Sequence, residues 1–258
     1  MNSMPTVPTT QEKVATIDAK GMYYRDLNEK LLALVTAGAE TIEVFNVIGQ
    51  RYLGTNLHHP VRLIIHGVPG NDLGAFMDGP QIQVLGSAQD GCGNTMNSGS
   101  IIIHGSAGDI LGHSMRGGKI MVKGNVGYRV GIHMKEYESV RPVIVIGGIA
   151  QHFLGEYMSG GVMVVLGLQL DTDDLHPTHH LGTGMHGGVI YMRGQVDNSY
   201  LGKEVGQVPI EAQDELLLHQ LVQEYADHFG VDVEGVFRVP FVKLVPRTKR
   251  PYGQLYAY

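Results

Sequence analysis

The sequence predicts an all-β fold: a single-stranded, right-handed parallel β-helix of about eight coils, with a period of about 19 residues and a short capping helix at each end. Three observations lead to this fold. Glycine supplies 36 of the 258 residues and recurs at a fixed spacing, at about twice its average frequency. Short β-branched runs, such as Leu63–Ile65 and Ile101–Ile103, stand between the glycines and are too short for helices. The repeat is also too short for a βαβ crossover, so each unit predicts one turn of a coil.

The repeat consists of three columns of residues that keep one period through four consecutive units. The columns are a glycine that closes the apolar run (Gly67, Gly86, Gly105, Gly124), a second glycine (Gly74, Gly93, Gly112, Gly131) and a methionine (Met77, Met96, Met115, Met134). After two insertions, at about residues 135–142 and 168–180, the pattern returns with Gly147, Gly155, Met158, Gly167, Gly182 and Met185. We expect the glycines to permit the positive φ of sharp corners, and the methionines to fill the narrow interior of the coil.

Amphipathic helices are expected on both sides of the repeat, where they would cap the open ends of the solenoid. The N-terminal helix is predicted within Tyr23–Ala37 and the C-terminal helix within Ile210–Phe229. Their apolar faces are Leu27, Leu31, Leu34 and Val35 in the first helix, and Leu217, Leu221, Tyr225 and Phe229 in the second. The chain therefore divides into an N-terminal segment with a capping helix (1–40), the β-helix (41–200) and a C-terminal helix with a tail (201–258).

Composition excludes several classes of protein. The net charge of −6 argues against a general nucleic-acid binder. Cys92 is the one cysteine, so the chain cannot form a disulfide or a cysteine-built zinc or iron–sulfur site by itself. No run approaches the ~18 apolar residues of a membrane span, and the first ten residues do not resemble a signal peptide. We therefore expect a soluble cytoplasmic protein without a nucleic-acid or membrane partner.

A histidine-rich loop is the strongest candidate for metal chemistry. The segment Asp171–His180 brings carboxylates and imidazoles together, and Asp173, His176, His179 and His180 are weak candidates for ligands of a divalent metal. The loop is long and contains a proline, and it fits no metal-ligand signature, so a solvated or partner-contacting loop is favoured. The sequence also contains no nucleophile elbow, dinucleotide fingerprint or kinase motif. We expect no catalytic, cofactor-binding or metal-binding residue in this chain.

The C-terminal tail differs from the rest of the chain in charge. Val236–Tyr258 has a charge of +5, whereas the remaining residues carry −11. Three interpretations stay open: a nucleic-acid arm, a tail that packs on its own domain, and an arm that docks on another subunit through aromatic and arginine anchors. The last two are favoured over the first. The candidate partner contacts are Arg247, Lys249, Arg250, Tyr252 and Tyr256.

The repeat also resembles a known family. GVPGNDLG at Gly67–Gly74 and GSAGDILG at Gly105–Gly112 resemble the GXGXG domain at the C-terminus of the glutamate synthase alpha subunit. EYMSGGVMVVLG at Glu156–Gly167 is similar to the penultimate coils of that domain. The resemblance covers residues 42–196, and IDAKGMYYRDLNEKL near the start resembles the free-standing form. The structural subunit of formylmethanofuran dehydrogenase that has the same coils is similar as well.

The resemblance implies a non-catalytic scaffold in a multi-subunit glutamate synthase. Such a scaffold positions a glutamine amidotransferase subunit and an FMN/iron–sulfur synthase subunit for ammonia transfer. FMN and iron–sulfur clusters are then expected in the partner subunits, with none in this chain. Self-association of the chain is a further expectation. Three alternatives stay open: the structural subunit of a formylmethanofuran dehydrogenase-type complex, a free-standing β-helix binding module, and a metal-dependent enzyme built on the histidine-rich loop.

Overall fold

A computed structural model describes residues 13–248 of the chain as a parallel β-solenoid. Eleven strands form one sheet in the order β1-β2-β3-β4-β5-β6-β7-β8-β9-β11-β10. The strands are β1 (Val14–Asp18), β2 (Thr41–Ile48), β3 (Arg62–Val68), β4 (Gln81–Val84), β5 (Ser100–Ile103), β6 (Lys119–Val122), β7 (Val143–Ile146), β8 (Ser159–Val165), β9 (Gly187–Arg193), β10 (Val205–Val208) and β11 (Phe241–Pro246). The helices are α1 (Tyr24–Thr36), α2 (Ala212–Phe229) and α3 (Val233–Phe237), with a 3-10 turn at Asn198–Tyr200.

The solenoid has about six turns, so the expectation of eight coils is wrong in number. Six steps, each between parallel neighbours, lead from β3 to β9. The apolar runs found in the sequence do form strands. Each turn of the solenoid connects two successive strands, so counting the runs overestimates the number of turns. The first run also joins irregularly, because the pairing of β2 with β3 shifts register between Val44 and Val47.

The interior of the solenoid is filled by rows of apolar side chains, one from each strand. One such row runs Ile42, Leu63, Ile82, Ile101, Ile120, Ile144, Met163 and Ile190 through successive strand partners. The repeated methionines form a second inward row, as predicted: Met77, Met96, Met115, Met134, Met158 and Met185 are fully buried. A flexible thioether fits the narrow, irregular space between the sheet and the opposite corner.

Glycine is required in the two columns for different physical reasons. Gly74 and its equivalents have positive φ, as expected, and they alternate with other left-handed residues; Asp72, Gly74 and Phe76 have φ of 60°, 63° and 57°. The backbone N–H groups of this corner therefore bond alternately to the two neighbouring coils, from Asp72 to Asp90 at 2.9 Å and from Gly74 to Leu53 at 2.8 Å. This corner forms a second hydrogen-bond ladder opposite the sheet.

The first column needs glycine because successive coils approach closely. Gly86, Gly105, Gly124 and Gly147 do not have positive φ, so our explanation by sharp corners is wrong for them. A Cβ at Gly86 would lie 2.7 Å from the carbonyl oxygen of Gly67 in the preceding coil. A Cβ at Gly147 would collide with the Tyr225 hydroxyl of α2. Close backbone approach is the second common reason for glycine at a fixed position.

The N-terminal end is capped as the sequence predicts. Leu27, Leu31 and Val35 of α1 are buried in the same apolar cluster as Ile42 and Val44 of β2. The partly buried Leu34 packs against that cluster. Strand β1 pairs with β2 in parallel and supplies the edge of the sheet. The helix therefore closes the interior while β1 extends the sheet.

The C-terminal helix lies somewhere else than predicted. Helix α2 does not cap the end of the solenoid; it packs on the outer face of the sheet, where its buried residues join a second cluster with Met121, Val145, Val164 and Tyr191. The predicted apolar face is also slightly rotated, because Leu218 and Val222 are buried whereas Leu217 is only partly buried. A capping box at Glu211 and Asp214 starts the helix, and Gly230 in the left-handed conformation ends it.

Two antiparallel strands extend the sheet beyond β9 instead. Strand β11 pairs with β9, and β10 pairs with β11. The part of the basic tail that forms β11 therefore packs on its own domain, in agreement with one of the three interpretations of the tail. Within residues 13–248, no helix has both the length and the apolar character needed to cross a membrane.

Candidate interaction surface

Histidine and aromatic rings form stacks along the corner opposite the sheet. Because every coil places the same position above the last, side chains of that position meet their equivalents one coil away. One stack runs from Tyr128 through His152 and His179 to Tyr200, with ring centroids 5.5, 4.9 and 3.8 Å apart. The first pair meets edge-on, the second is tilted, and the third is face to face. The rings are exposed or partly exposed, so this stack forms a continuous strip of surface.

Two further stacks lie on the same corner. His133 stacks on Tyr157 at 5.4 Å and meets His113 edge-on at 6.1 Å. Phe153 stacks on His180 at 4.7 Å, and the Arg129 guanidinium lies 5.0 Å from the Phe153 ring centroid. Rings held in this way lose little conformational entropy on binding, which suits a protein-contact surface. Sequence analysis did not detect the stacks, because the rings that meet lie 20 or more residues apart in the chain.

The 168–180 loop distributes its histidines instead of gathering them around one point. His179 and His180 join two different ring stacks on the surface. His176 is fully buried, and its Nε2 lies 2.8 Å from the backbone oxygen of Arg193. The remaining candidate ligand, Asp173, is exposed. The loop is therefore folded back onto the solenoid through His176.

The environment of His176 favours the neutral form of its imidazole. Burial lowers the pKa of His176 below its usual value, although the bond to the Arg193 oxygen acts in the opposite direction. Its Nδ1 is buried without a hydrogen-bond partner among the described residues. Within residues 13–248, no three His, Cys, Asp or Glu side chains lie close enough together to hold a metal ion. The proposed ligands His176, His179, His180 and Asp173 thus do not converge on one centre.

Arg247 is the one predicted partner contact that lies within the described residues. Its backbone N–H donates to the Glu204 oxygen at 2.7 Å, and its Nε donates to the Val205 oxygen at 3.0 Å. Part of this guanidinium therefore fastens the end of β11 to β10. The other predicted contacts, Lys249, Arg250, Tyr252 and Tyr256, lie outside the described residues, and their role stays a prediction.

A buried polar network that sequence analysis missed joins α2 to the sheet. The Tyr191 hydroxyl donates to Asp214 Oδ1 at 2.5 Å, and Lys243 Nζ donates to Oδ2 at 2.7 Å. Burial raises the pKa of the Asp214 carboxyl, but the bonds from Lys243 and Tyr191 outweigh it and hold this pKa below its usual value. The network borders a cleft of about 440 Å³ between α2, α3 and β11, lined by Lys243, His219, Phe237 and Phe241 among others. The sequence contains one sign of this network, because Asp214 is an acidic residue at the third position of α2.

Comparisons with known proteins agree with the family resemblance. The GXGXG motif family matches residues 36–246, more than the 42–196 covered by the sequence resemblance. An uncharacterized protein of Methanocaldococcus jannaschii is 46% identical over 248 residues, covering 93% of this chain and 95% of that protein.

Among solved structures, a chain of the formyltransferase/hydrolase complex from Methylorubrum extorquens, solved with methylofuran, has the same fold. Its TM-score is 0.61 at 20% identity, with 81% of this chain and 79% of that chain covered. The family match runs from the last residue of α1 to the last residue of β11 and includes α2. The chain belongs to the GXGXG motif family.

Proposed function

We propose that this protein is a non-catalytic scaffold subunit of a cytoplasmic, multi-subunit complex of the glutamate synthase type. The observation that carries the proposal is the continuous construction of the rod. One sheet joins β1 through β9 in chain order and continues into β11 and β10. The ladder of left-handed residues joins the same coils at the opposite corner. Two ladders on opposite sides resist bending, which is the mechanical property that a spacer between two active sites requires.

In this role the protein holds the two catalytic subunits in fixed positions relative to each other. A glutamine amidotransferase subunit would release ammonia, and an FMN/iron–sulfur subunit would consume it. Holding both at a fixed distance and orientation converts an encounter between separate molecules into a transfer within one assembly. The ring stacks at Tyr128–Tyr200 and the folded-back 168–180 loop are the surfaces through which we expect the rod to contact these subunits.

The proposal is tested by purifying the native protein under mild conditions and identifying the subunits that accompany it. The expected result is one subunit with flavin and iron–sulfur absorbance and one amidotransferase subunit, in fixed ratio to this chain. A rod that purifies alone, at every salt concentration and at native abundance, would contradict the scaffold role.

A second candidate is the structural subunit of a complex of the formyltransferase/hydrolase type. The observation that favours it is the structural match to a chain of that complex, which covers 81% of this chain. The same purification separates the two candidates. Partner subunits identified as a formyltransferase and a hydrolase, without flavin absorbance, would assign the chain to this second class of assembly.

A further inference from the structure

A patch at the N-terminal end of the rod combines the most exposed large apolar side chain with a cluster of aromatic rings. Ile48 is 83% exposed, the highest value among the large hydrophobic residues of 13–248. Next to it, the rings of Tyr23 and Tyr24 lie 4.6 Å apart and those of Tyr24 and Tyr52 lie 5.7 Å apart. We call this surface, with Arg25 and Arg51, the N-terminal patch.

The patch is held in place by polar contacts to the backbone. The Gln50 amide donates to the Ala19 oxygen at 3.1 Å, and its Oε1 accepts the Ile48 N–H at 2.7 Å. The Asn28 amide donates to the Arg51 oxygen at 3.0 Å and joins the loop to α1. A surface that is already ordered loses less entropy when a partner binds. A shallow, open cleft of about 430 Å³ lies between Tyr23, Ile48 and Arg51.

The charge of the patch indicates what it would bind. Arg25 and Arg51 form no ion pair within residues 13–248, although the whole chain carries −6. Arg25 Nε donates to the Tyr24 hydroxyl at 3.3 Å, so this guanidinium is held beside the aromatic rings. Tyrosine and arginine are also the residue types that dominate binding energy at protein interfaces.

We propose that the N-terminal patch docks an acidic segment of a partner subunit, with Ile48 as the apolar anchor and the two arginines as carboxylate contacts. This inference rests on the proposed scaffold role and names the end of the rod at which one partner binds. The guanidinium fork matches a carboxylate in two-point geometry. An aliphatic or aromatic side chain flanking the carboxylates would enter the cleft beside Ile48.

Site-specific cysteine labelling can test this contact. Its one cysteine, Cys92, is fully buried, and burial raises the pKa of its thiol to about 12, so it does not compete for labelling. Ile48→Cys introduces one reactive thiol in the patch, and Leu216→Cys introduces one on α2, where Leu216 is 73% exposed. Each variant is labelled with a photoreactive maleimide, returned to the purified complex, irradiated and analysed by mass spectrometry. We expect cross-links from Ile48→Cys to an acidic segment of a co-purified subunit and none to that segment from Leu216→Cys.

A charge-reversal pair supplies the matched measurement of affinity. Arg25→Glu with Arg51→Glu is expected to weaken capture of that subunit at least about tenfold, the loss typical of removing an interface anchor. Arg116→Glu with Lys135→Glu makes the same charge change on exposed residues elsewhere and leaves capture unchanged. Cross-links from Ile48→Cys only to residues 1–12 or to a second copy of the chain would overturn this inference, as would equal capture by both pairs. A wild-type chain that captures no subunit would instead overturn the scaffold role.

Discussion

The outer face of the sheet has two halves that differ in composition although they share one row of side chains. The row runs through successive strand partners: Thr16, Glu43, Ile64, Gln83, Ile102, Met121, Val145, Val164 and Tyr191. On β1–β4, members of the row are exposed or partly buried. On β5–β9, under α2, every member is at most 6% exposed. The boundary between Gln83 and Ile102 marks the edge of the area of the sheet that α2 covers.

The difference between the halves shows how the sequence of a strand depends on whether a helix covers its outer face. In β4, QIQV, apolar and polar residues alternate, as expected for a strand with one buried face. In β5 and β7, SIII and VIVI, the last three residues are all buried, because the interior covers one face and α2 covers the other. Continuous apolar runs therefore predict a second layer, and the change from alternating to continuous locates it.

The largest expected effect comes from the network that attaches α2 to the apolar half. Asp214→Ala leaves Lys243 and the Tyr191 hydroxyl without their buried partner, and we expect it to lower the free energy of unfolding by about 3–5 kcal/mol. Urea denaturation followed by circular dichroism measures the change. Asp227→Ala removes an exposed carboxylate from the same helix and should alter stability by less than about 0.5 kcal/mol. Equal effects from the two variants would mean that the network does not attach the helix.

The parts of the fold that could be predicted from the sequence are those determined by residues close together in the chain. The repeat, its inward methionines and the capping helix α1 were predictable, because each depends on residues spaced within one period or one helix. The position of α2 was not predicted, since an amphipathic helix shows that it packs but not where. The residues that determine its position lie in β5–β9, the last of which ends 19 residues before the helix begins. Their continuous apolar runs differ from the alternating runs of the earlier strands.

The candidate site was less predictable than the fold. Asp173, His176, His179 and His180 were weak candidates for metal ligands because they lie close together in sequence. The coil separates these side chains by turning His176 inward and the others outward. The ring stacks form only when equivalent positions of different coils are aligned. An alignment of the units by their glycines, extended to the residues between them, contains that information.

A second prediction compares the two halves directly with one chemical change. Met121→Gln places an amide under α2 at a fully buried position, where the absence of a hydrogen-bond partner should cost about 2 kcal/mol. Ile64→Gln makes an apolar-to-amide change in the same row on the uncovered half, where Ile64 is only partly buried. We expect a loss below about 1 kcal/mol there. Thermal unfolding of both variants by calorimetry tests the order, and the reverse order would contradict the division of the face into two halves.

A third prediction concerns a single hydrogen bond between the helix and the solenoid. The Tyr225 hydroxyl donates to the Lys123 backbone oxygen at 3.2 Å, while its ring is fully buried. Tyr225→Phe keeps the ring and removes the bond, so we expect a loss of about 1 kcal/mol. Denaturation in urea should show a lower midpoint with an unchanged slope. A changed slope would indicate that the helix has detached, which this small substitution should not cause.

The smallest effect is expected at the rim of the covered half. Lys119 of β6 and Glu224 of α2 form an ion pair, but their side chains are 23% and 36% exposed. Solvent and salt screen such a pair, so Glu224→Gln should cost no more than about 0.5 kcal/mol and the loss should fall further as salt is added. Unfolding measured at low and high salt checks both statements. A loss that exceeds that of Met121→Gln would mean that charge at the rim, and not apolar contact beneath it, decides which half of the sheet the helix covers.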